Sequence, residues 1–244
     1  MSLPVFVVDS AVLHNATIEL TGDEGHHAAV VKRIRPGEHV ILTDGRGAGA
    51  ACRVQSISKQ GLVTEVAWWM TERPPQPRLI VVQAIPKGEH AERAVDLVTE
   101  VGADLIVPWA ASRNVVKWEG DREARALARW RSTAHAAAKQ SRRLWFPEVA
   151  SVHTTVEVAR LVSEAALALV LDESAERAVS QFDIPQEGDL VLVVGPEGGI
   201  TPDELARLTD AGAKPALLGP TVLRSSTAGV VAAAAVLSRT SRWR

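Results

Sequence analysis

Two kinds of hydrophobic spacing follow one another along this chain. Its first part holds short β-rich runs at Val5–Val8, His39–Thr43, Ala51–Ser58 and Leu62–Ala67, punctuated by Gly37, Gly45, Gly47 and Gly61, which predicts a small β-barrel. One helix is expected there, Asp23–Val31, with Thr21 or Asp23 as its N-cap. Further on, apolar runs at Leu79–Ile85, Leu105–Val107, Ala168–Leu171 and Leu190–Val194 alternate with helical segments near Glu89–Val101, Arg122–Arg142, Thr155–Ser163 and Pro202–Ala211. Gly102 suits the end of the first of these helices, and Thr201 with Pro202 the start of the last. Strands that are apolar at nearly every position are buried on both faces, so the alternation predicts an α/β domain with a mostly parallel sheet covered by helices. A final helix, Ser225–Ser238, consists mostly of Ala, Val, Ser and Gly, small enough for close backbone approach.

The clearest break is TERPPQPR, Thr71 to Arg78, where Pro74, Pro75 and Pro77 fix an extended backbone. Two domains are therefore expected, residues 1–73 and 74–244. The chain has 244 residues, 46% of them hydrophobic, which suffices for packed cores. Cys52 is the single cysteine, which excludes an intramolecular disulfide and a Cys-based zinc site. His26 and His27 are adjacent but lack a third ligand, so no metal site is expected. The sequence starts with no basic segment leading into a long apolar stretch, and no run reaches the roughly 18 apolar residues of a membrane span. A cytoplasmic protein with no membrane partner is expected.

A net charge of -2 conceals a strong local asymmetry. Between Arg113 and Arg143 nine basic residues face three acids, whereas between Asp172 and Glu204 nine acids face Arg177 alone. Salt screens charges beyond about 10 Å, so the basic stretch can attract a polyanion although the whole chain is nearly neutral. Trp118, Trp130 and Trp145 are interleaved with it, either to stack on bases or to fill the core.

Two blocks carry the candidate chemistry. Leu190 to Ile200, LVLVVGPEGGI, is a β-type run ending in a Gly-rich turn, and Leu217 to Gly229, LLGPTVLRSSTAG, is an apolar run leading into a helix. The turn fits neither GxGxxG nor GxxxxGK[ST], which removes a dinucleotide fingerprint and a P-loop. Two loops that each follow a strand can hold a flat adenine and a charged tail, because strand ends expose backbone donors and acceptors. A nucleoside cofactor site is expected.

Together with AIPKGEHAERAVDLVTEVGADLIVPWAASRNVV, AAAKQSRRLWFPEV and the N-terminal HHAAVVKRIRPGEHVILTDGRG, these blocks run over almost the whole chain. In this order and spacing they resemble the RsmE family of 16S ribosomal RNA uridine N3-methyltransferases, members of the knotted SPOUT superfamily. The resemblance implies a PUA-like RNA-binding domain followed by a trefoil-knotted methyltransferase domain, S-adenosylmethionine as cofactor, the small ribosomal subunit as partner, and a homodimer with the terminal helix near the subunit contact. Carried over by position, Gly195, Pro196, Glu197 and Gly199 form one wall of the cofactor pocket and Leu218, Gly219, Val222 and Leu223 another, with Leu171 beside them. Arg33, Arg35 and Arg46 are the RNA contacts expected in the first domain, and Arg113, Lys117, Gln140 and Arg143 in the second.

Methylation at N3 of uridine requires loss of the imide proton, which spreads negative charge over O2, N3 and O4. Arg224 matches the family's arginine and is expected to stabilise that charge, since guanidinium presents several donors in a rigid fork. The competing role is an arginine at a helix N-terminus bound to a phosphate or a carboxylate. The chain departs from the family's LRTETA by reading LRSSTA, so Ser226 stands where a glutamate is usual, and from EAAEQSGR by reading AAAKQSRR. The first departure leaves open which group removes the proton. Two alternatives stand beside this reading: a related knotted ribose 2'-O-methyltransferase, against which the whole-chain match counts, and an RNA-binding assembly factor without turnover, motivated by Ser226.

Overall fold

A computed structural model of the chain describes residues 3–88 and 90–243. Glu89, the expected start of the second helix, lies outside the described residues. The chain forms two compact units, one of Met1–Pro74 with Ala138–Phe146 and one of Pro75–Ala137 with Pro147–Arg244.

The first unit contains β1 (Val5–Val7), β2 (Thr17–Leu20), the short helix α1 (Gly22–His26), β3 (His39–Thr43), β4 (Ala48–Ser58) and β5 (Gly61–Thr71). They make a five-stranded sheet in the order β1-β3-β4-β5-β2, antiparallel except for β1 against β3. Phe6, Ile18, Leu20, Val40, Leu42, Cys52 and Leu62 fill its core. The helix expected at Asp23–Val31 is α1 followed by a wider π-helical stretch, His27–Val31, and the turn after it ends with Arg33 at φ 53°. Thr21 is the N-cap residue of α1 but its side chain makes no capping bond. The segment 138–146 closes this unit by backbone pairing: Gly47 N donates to Leu144 O at 2.8 Å and Phe146 N to Gly45 O at 2.9 Å. The Trp145 indole lies against Gly47, where an added Cβ would come within 2.5 Å of the ring and where φ is +96°. Glycine is required there by space and by conformation.

In the second unit, β6 (Arg78–Ala84), α2 (His90–Val101), β7 (Leu105–Trp109), α3 (Asp121–Gln140), β8 (Glu148–Val149), α4 (Thr155–Glu164), β9 (Leu167–Leu171), β10 (Asp189–Val194), α5 (Pro202–Asp210), β11 (Lys214–Ala216) and α6 (Ser225–Leu237) follow in turn. The sheet order is β11-β9-β10-β6-β7-β8, and every pair is parallel. The all-apolar runs are explained by burial on two faces. Leu79, Val81, Leu169, Leu190 and Leu192 pack with α2, α3 and α6, whereas Ile80, Val82, Val170, Val191 and Val193 pack with α4 and α5. Each such side chain contributes on the order of 2 kcal/mol by leaving water. Small residues let α6 lie close to this sheet: a Cβ on Gly229 would already be 3.2 Å from Val98 and 3.5 Å from Val194. Three short strands, β2, β8 and β11, appear where the hydrophobic pattern was too short to predict them. No helix among the described residues is long and apolar enough to cross a membrane.

Candidate functional site

Parallel strands set their carboxyl ends on one edge of the sheet, and the loops leaving that edge carry the expected cofactor residues. Leu171 ends β9, residues 195–200 follow β10, and residues 217–224 follow β11, the three strands being neighbours in the order β11-β9-β10. The two loops are joined by a relay of hydrogen bonds. Gln83 Nε2, at the end of β6, donates to Ser225 Oγ at 2.9 Å, and Ser225 Oγ donates to the Gly195 carbonyl at 2.9 Å.

The first loop is a tight turn built by its glycines. Gly195 lies so close to Ile200 that an added Cβ would come within 2.7 Å of its side chain, and Gly199 at φ 73° donates its amide to Pro196 O at 2.9 Å. Pro196 is buried, while Glu197 and Gly199 are exposed. Glu197 accepts a long bond, 3.4 Å, from the Lys87 amide. Arg113, expected to touch RNA, donates from Nη1 to the Gly198 carbonyl at 3.1 Å and so also braces this turn.

The second loop is held at its ends, by Leu217 at one and by the Ser225 relay at the other. Leu217 donates to Arg177 O and accepts from Val179 N, each at 2.9 Å. From 218 to 223, among the described residues, the backbone makes no hydrogen bond at all. Leu218, Gly219 and Leu223 are nonetheless half-buried, and Val222 is 77% exposed. Pro220, Thr221 and Val222 are exposed, so the backbone groups of this loop are open to solvent or to a bound molecule. Gly219 has open space where a Cβ would point, with no heavy atom within 4 Å. Such a loop offers free amides, free carbonyls and apolar side chains to a flat, polar molecule.

Arg224 is the N-cap residue of α6; its side chain is exposed and makes no ion pair or hydrogen bond among the described residues. No carboxylate among the described residues binds it. Ser225 and Ser226 are buried.

Sequence reasoning missed Glu204. Its carboxylate, only 5% exposed, accepts from Ser112 N at 2.8 Å, Ser112 Oγ at 3.0 Å, Thr155 Oγ1 at 3.2 Å, Thr201 N at 3.1 Å and Thr201 Oγ1 at 2.8 Å. Burial pushes its pKa up, but the bonds from Ser112 and Thr201 outweigh burial and hold the carboxyl below its ordinary value. The sequence disclosed Thr201 and Pro202 at the start of α5, but neither the capping box that Glu204 completes nor its Ser112 and Thr155 partners, which come from distant parts of the chain.

The expected RNA contacts divide between the units. Arg33, Arg35 and Arg46 are exposed in the first. Gln140, exposed, and Arg143, half-buried, belong to the segment that completes the first unit, whereas Lys117 is exposed in the second. Part of the basic stretch is neutralised internally: Lys139 pairs with Glu24 at 2.5 Å and Arg129 with Glu92 at 3.2 Å. Trp130 is not available for base stacking, being fully buried with Trp118 edge-on at 5.1 Å. The exposed tryptophans are instead Trp68 and Trp69 of β5 and Trp243, which the sequence reading did not single out.

Comparison with known proteins agrees with this architecture. Residues 72–237 match the model of an RNA methyltransferase domain, and residues 20–66 that of an RNA methyltransferase PUA domain. A ribosomal RNA small subunit methyltransferase E of Mycobacterium bovis is 47% identical over 243 residues, covering 98% of this chain and 93% of that protein. One from Bacillus subtilis is 32% identical, covering 93% and 92%. A crystal structure of a ribosomal RNA small subunit methyltransferase E from Neisseria gonorrhoeae, bound to S-adenosyl methionine, superposes with a TM-score of 0.85 at 25% identity over 98% of each chain. With a family model spanning more than half its length and a close relative along nearly all of it, the chain belongs to the ribosomal RNA small subunit methyltransferase E family.

Proposed function

We propose that this protein transfers the methyl group of S-adenosylmethionine to N3 of a uridine in 16S ribosomal RNA. The observation that carries the reading is the loop of residues 218–223, partly buried, with no backbone hydrogen bond among the described residues, and tied through Ser225 to the Gly195 turn. The relatives, one of them solved with this cofactor, support the same class of reaction.

The residues present fit the cofactor. Leu171, Leu218, Val222 and Leu223 supply apolar surface for adenine, and the free backbone groups near Gly219 supply bonds to its polar edge. Gly195, Pro196, Glu197 and Gly199 form the opposite wall. S-adenosylmethionine supplies an activated methyl on its sulfonium, which leaves the protein the task of alignment. Arg224, with no internal partner, is free to donate to O2 or O4 as charge develops on the uracil ring.

In this reading residues 1–73 are the PUA-like RNA-binding domain and 74–244 the knotted catalytic domain. Arg33, Arg35, Arg46, Arg113, Lys117, Gln140 and Arg143 contact RNA in the small subunit. The protein works in the cytoplasm as a homodimer, a state supported by the apolar α6, where Val231 is 43% exposed.

The test is direct. Small subunits lacking the modification are incubated with the protein and labelled S-adenosylmethionine, and the digested RNA is analysed by mass. N3-methyluridine supports the reading; 2'-O-methylation, or RNA binding without transfer, replaces it with one of the two alternatives.

A further inference from the structure

The strand LIVVQA of β6 carries one polar side chain amid apolar ones, and that residue, Gln83, is 1% exposed. Its amide orientation is fixed, because Nε2 donates to the Ala84 carbonyl at 3.0 Å as well as to Ser225 Oγ at 2.9 Å. Turning the amide over would set an oxygen against the Ala84 carbonyl. Fixed in this way, Oε1 has no hydrogen-bond partner among the described residues. A buried acceptor without a donor destabilises the fold, and an apolar side chain of similar shape would avoid that cost. The chain therefore retains Gln83 at the expense of stability.

What it obtains is a rigid link between three chain segments. Gln83 is the penultimate residue of the central strand, Ser225 opens α6 directly after the loop 217–224, and Gly195 begins the turn after β10. Ser225 has a single hydroxyl proton, and it goes to Gly195. Its lone pair takes the proton from Gln83, so each bond polarises the other. Apart from this relay, no hydrogen bond among the described residues holds the loop of residues 218–223 between Leu217 and the start of α6.

We propose that Gln83 and Ser225 are positioning residues that fix the spacing of the two cofactor loops, so that S-adenosylmethionine meets a site already in its bound shape. This rests on the reading of these loops as the cofactor site. Neither residue touches the cofactor in this role. Their effect is preorganisation, which appears in cofactor affinity.

The test measures both on the full-length protein. Calorimetric titration with S-adenosylmethionine gives affinity, and thermal unfolding gives stability, for wild type, Gln83→Met, Ser225→Ala and the double variant. Gln83→Met is expected to keep or raise the melting temperature while weakening cofactor binding about fivefold, the scale of one lost hydrogen bond. In the double variant the affinity loss equals that of the worse single variant, because one relay is broken only once. If Gln83→Met does not fold, Ser225→Ala is decisive: it takes a bond from buried Gln83 Nε2 and from the Gly195 carbonyl, so the melting temperature falls, and affinity measured well below the melt is expected to drop about fivefold. Cofactor affinity equal to wild type in either folded variant, or losses that add, overturns the inference. A wild-type protein that binds no S-adenosylmethionine overturns the cofactor reading and the inference with it.

Discussion

The guanidinium of Arg113 donates to the carbonyl of Gly198 at 3.1 Å, so a residue of the strongly basic stretch braces the turn that follows β10. An added Cβ at Gly198 would lie 3.1 Å from the Arg113 Cβ, which makes the two residues a close-packed pair as well. Arg113→Ala is expected to weaken binding of S-adenosylmethionine about fivefold, since a charge-assisted bond at an exposed site contributes modestly. Calorimetric titration checks this; unchanged cofactor affinity would leave Arg113 with a role toward RNA alone.

The Arg224 side chain has no partner among the described residues, and in the proposed reaction its contribution belongs to the transition state. Arg224→Ala should reduce the transfer rate by a factor of about 100 to 1000 while cofactor affinity stays near that of wild type. Single-turnover methylation of undermethylated small subunits, beside calorimetry, separates the two quantities. A variant with normal turnover would remove Arg224 from the chemistry.

Glu204 ties α5 to the segment after β7 through donors from Ser112, Thr155 and Thr201. Its folded-state pKa lies below the ordinary value of 4.5, so the stability it contributes is fully present above that value and is lost as pH falls through the depressed one. Glu204→Gln leaves donors unmatched, and is expected to cost about 2 kcal/mol near neutral pH. It should also flatten the acid limb of a plot of melting temperature against pH. Parallel acid limbs in wild type and variant would contradict this.

Arg33 and Arg142 both adopt left-handed backbone, at φ 53° and 58°. A side chain in that region strains the backbone, and glycine does not. Arg33→Gly and Arg142→Gly are each expected to stabilise the protein by about 1 kcal/mol, read from the denaturant midpoint. For Arg33, a candidate RNA contact, the gain should come with a shallower dependence of RNA affinity on salt, by about one counterion.

The central sheet was legible because β6 and β10 are apolar on both faces and therefore apolar at nearly every position. The α5 start was legible because a capping Thr201 is followed directly by Pro202 in the first turn. β11 was not, since Lys-Pro-Ala has neither length nor alternation and becomes a strand only by pairing with β9. Tryptophan sorting escaped the sequence as well: Trp130 is core because α3 turns it toward β6 and α2, whereas Trp68 and Trp69 are consecutive on β5 and both exposed. At the candidate site the loops announced themselves by their glycines, but the bonds between them did not. The available signal was Gln83, a lone amide inside an apolar strand.

The insertion of residues 138–146 into the first unit has a consequence for synthesis on the ribosome. Gly45 and Gly47 find their backbone partners in Phe146 and Leu144, which are translated only after residues 75–137. The amino-terminal sheet must therefore wait, with that edge unfinished, until the elongating chain has delivered the last turn of α3 and the residues beyond it. Its completion is a late event in the birth of the molecule, although its strands are the first to emerge.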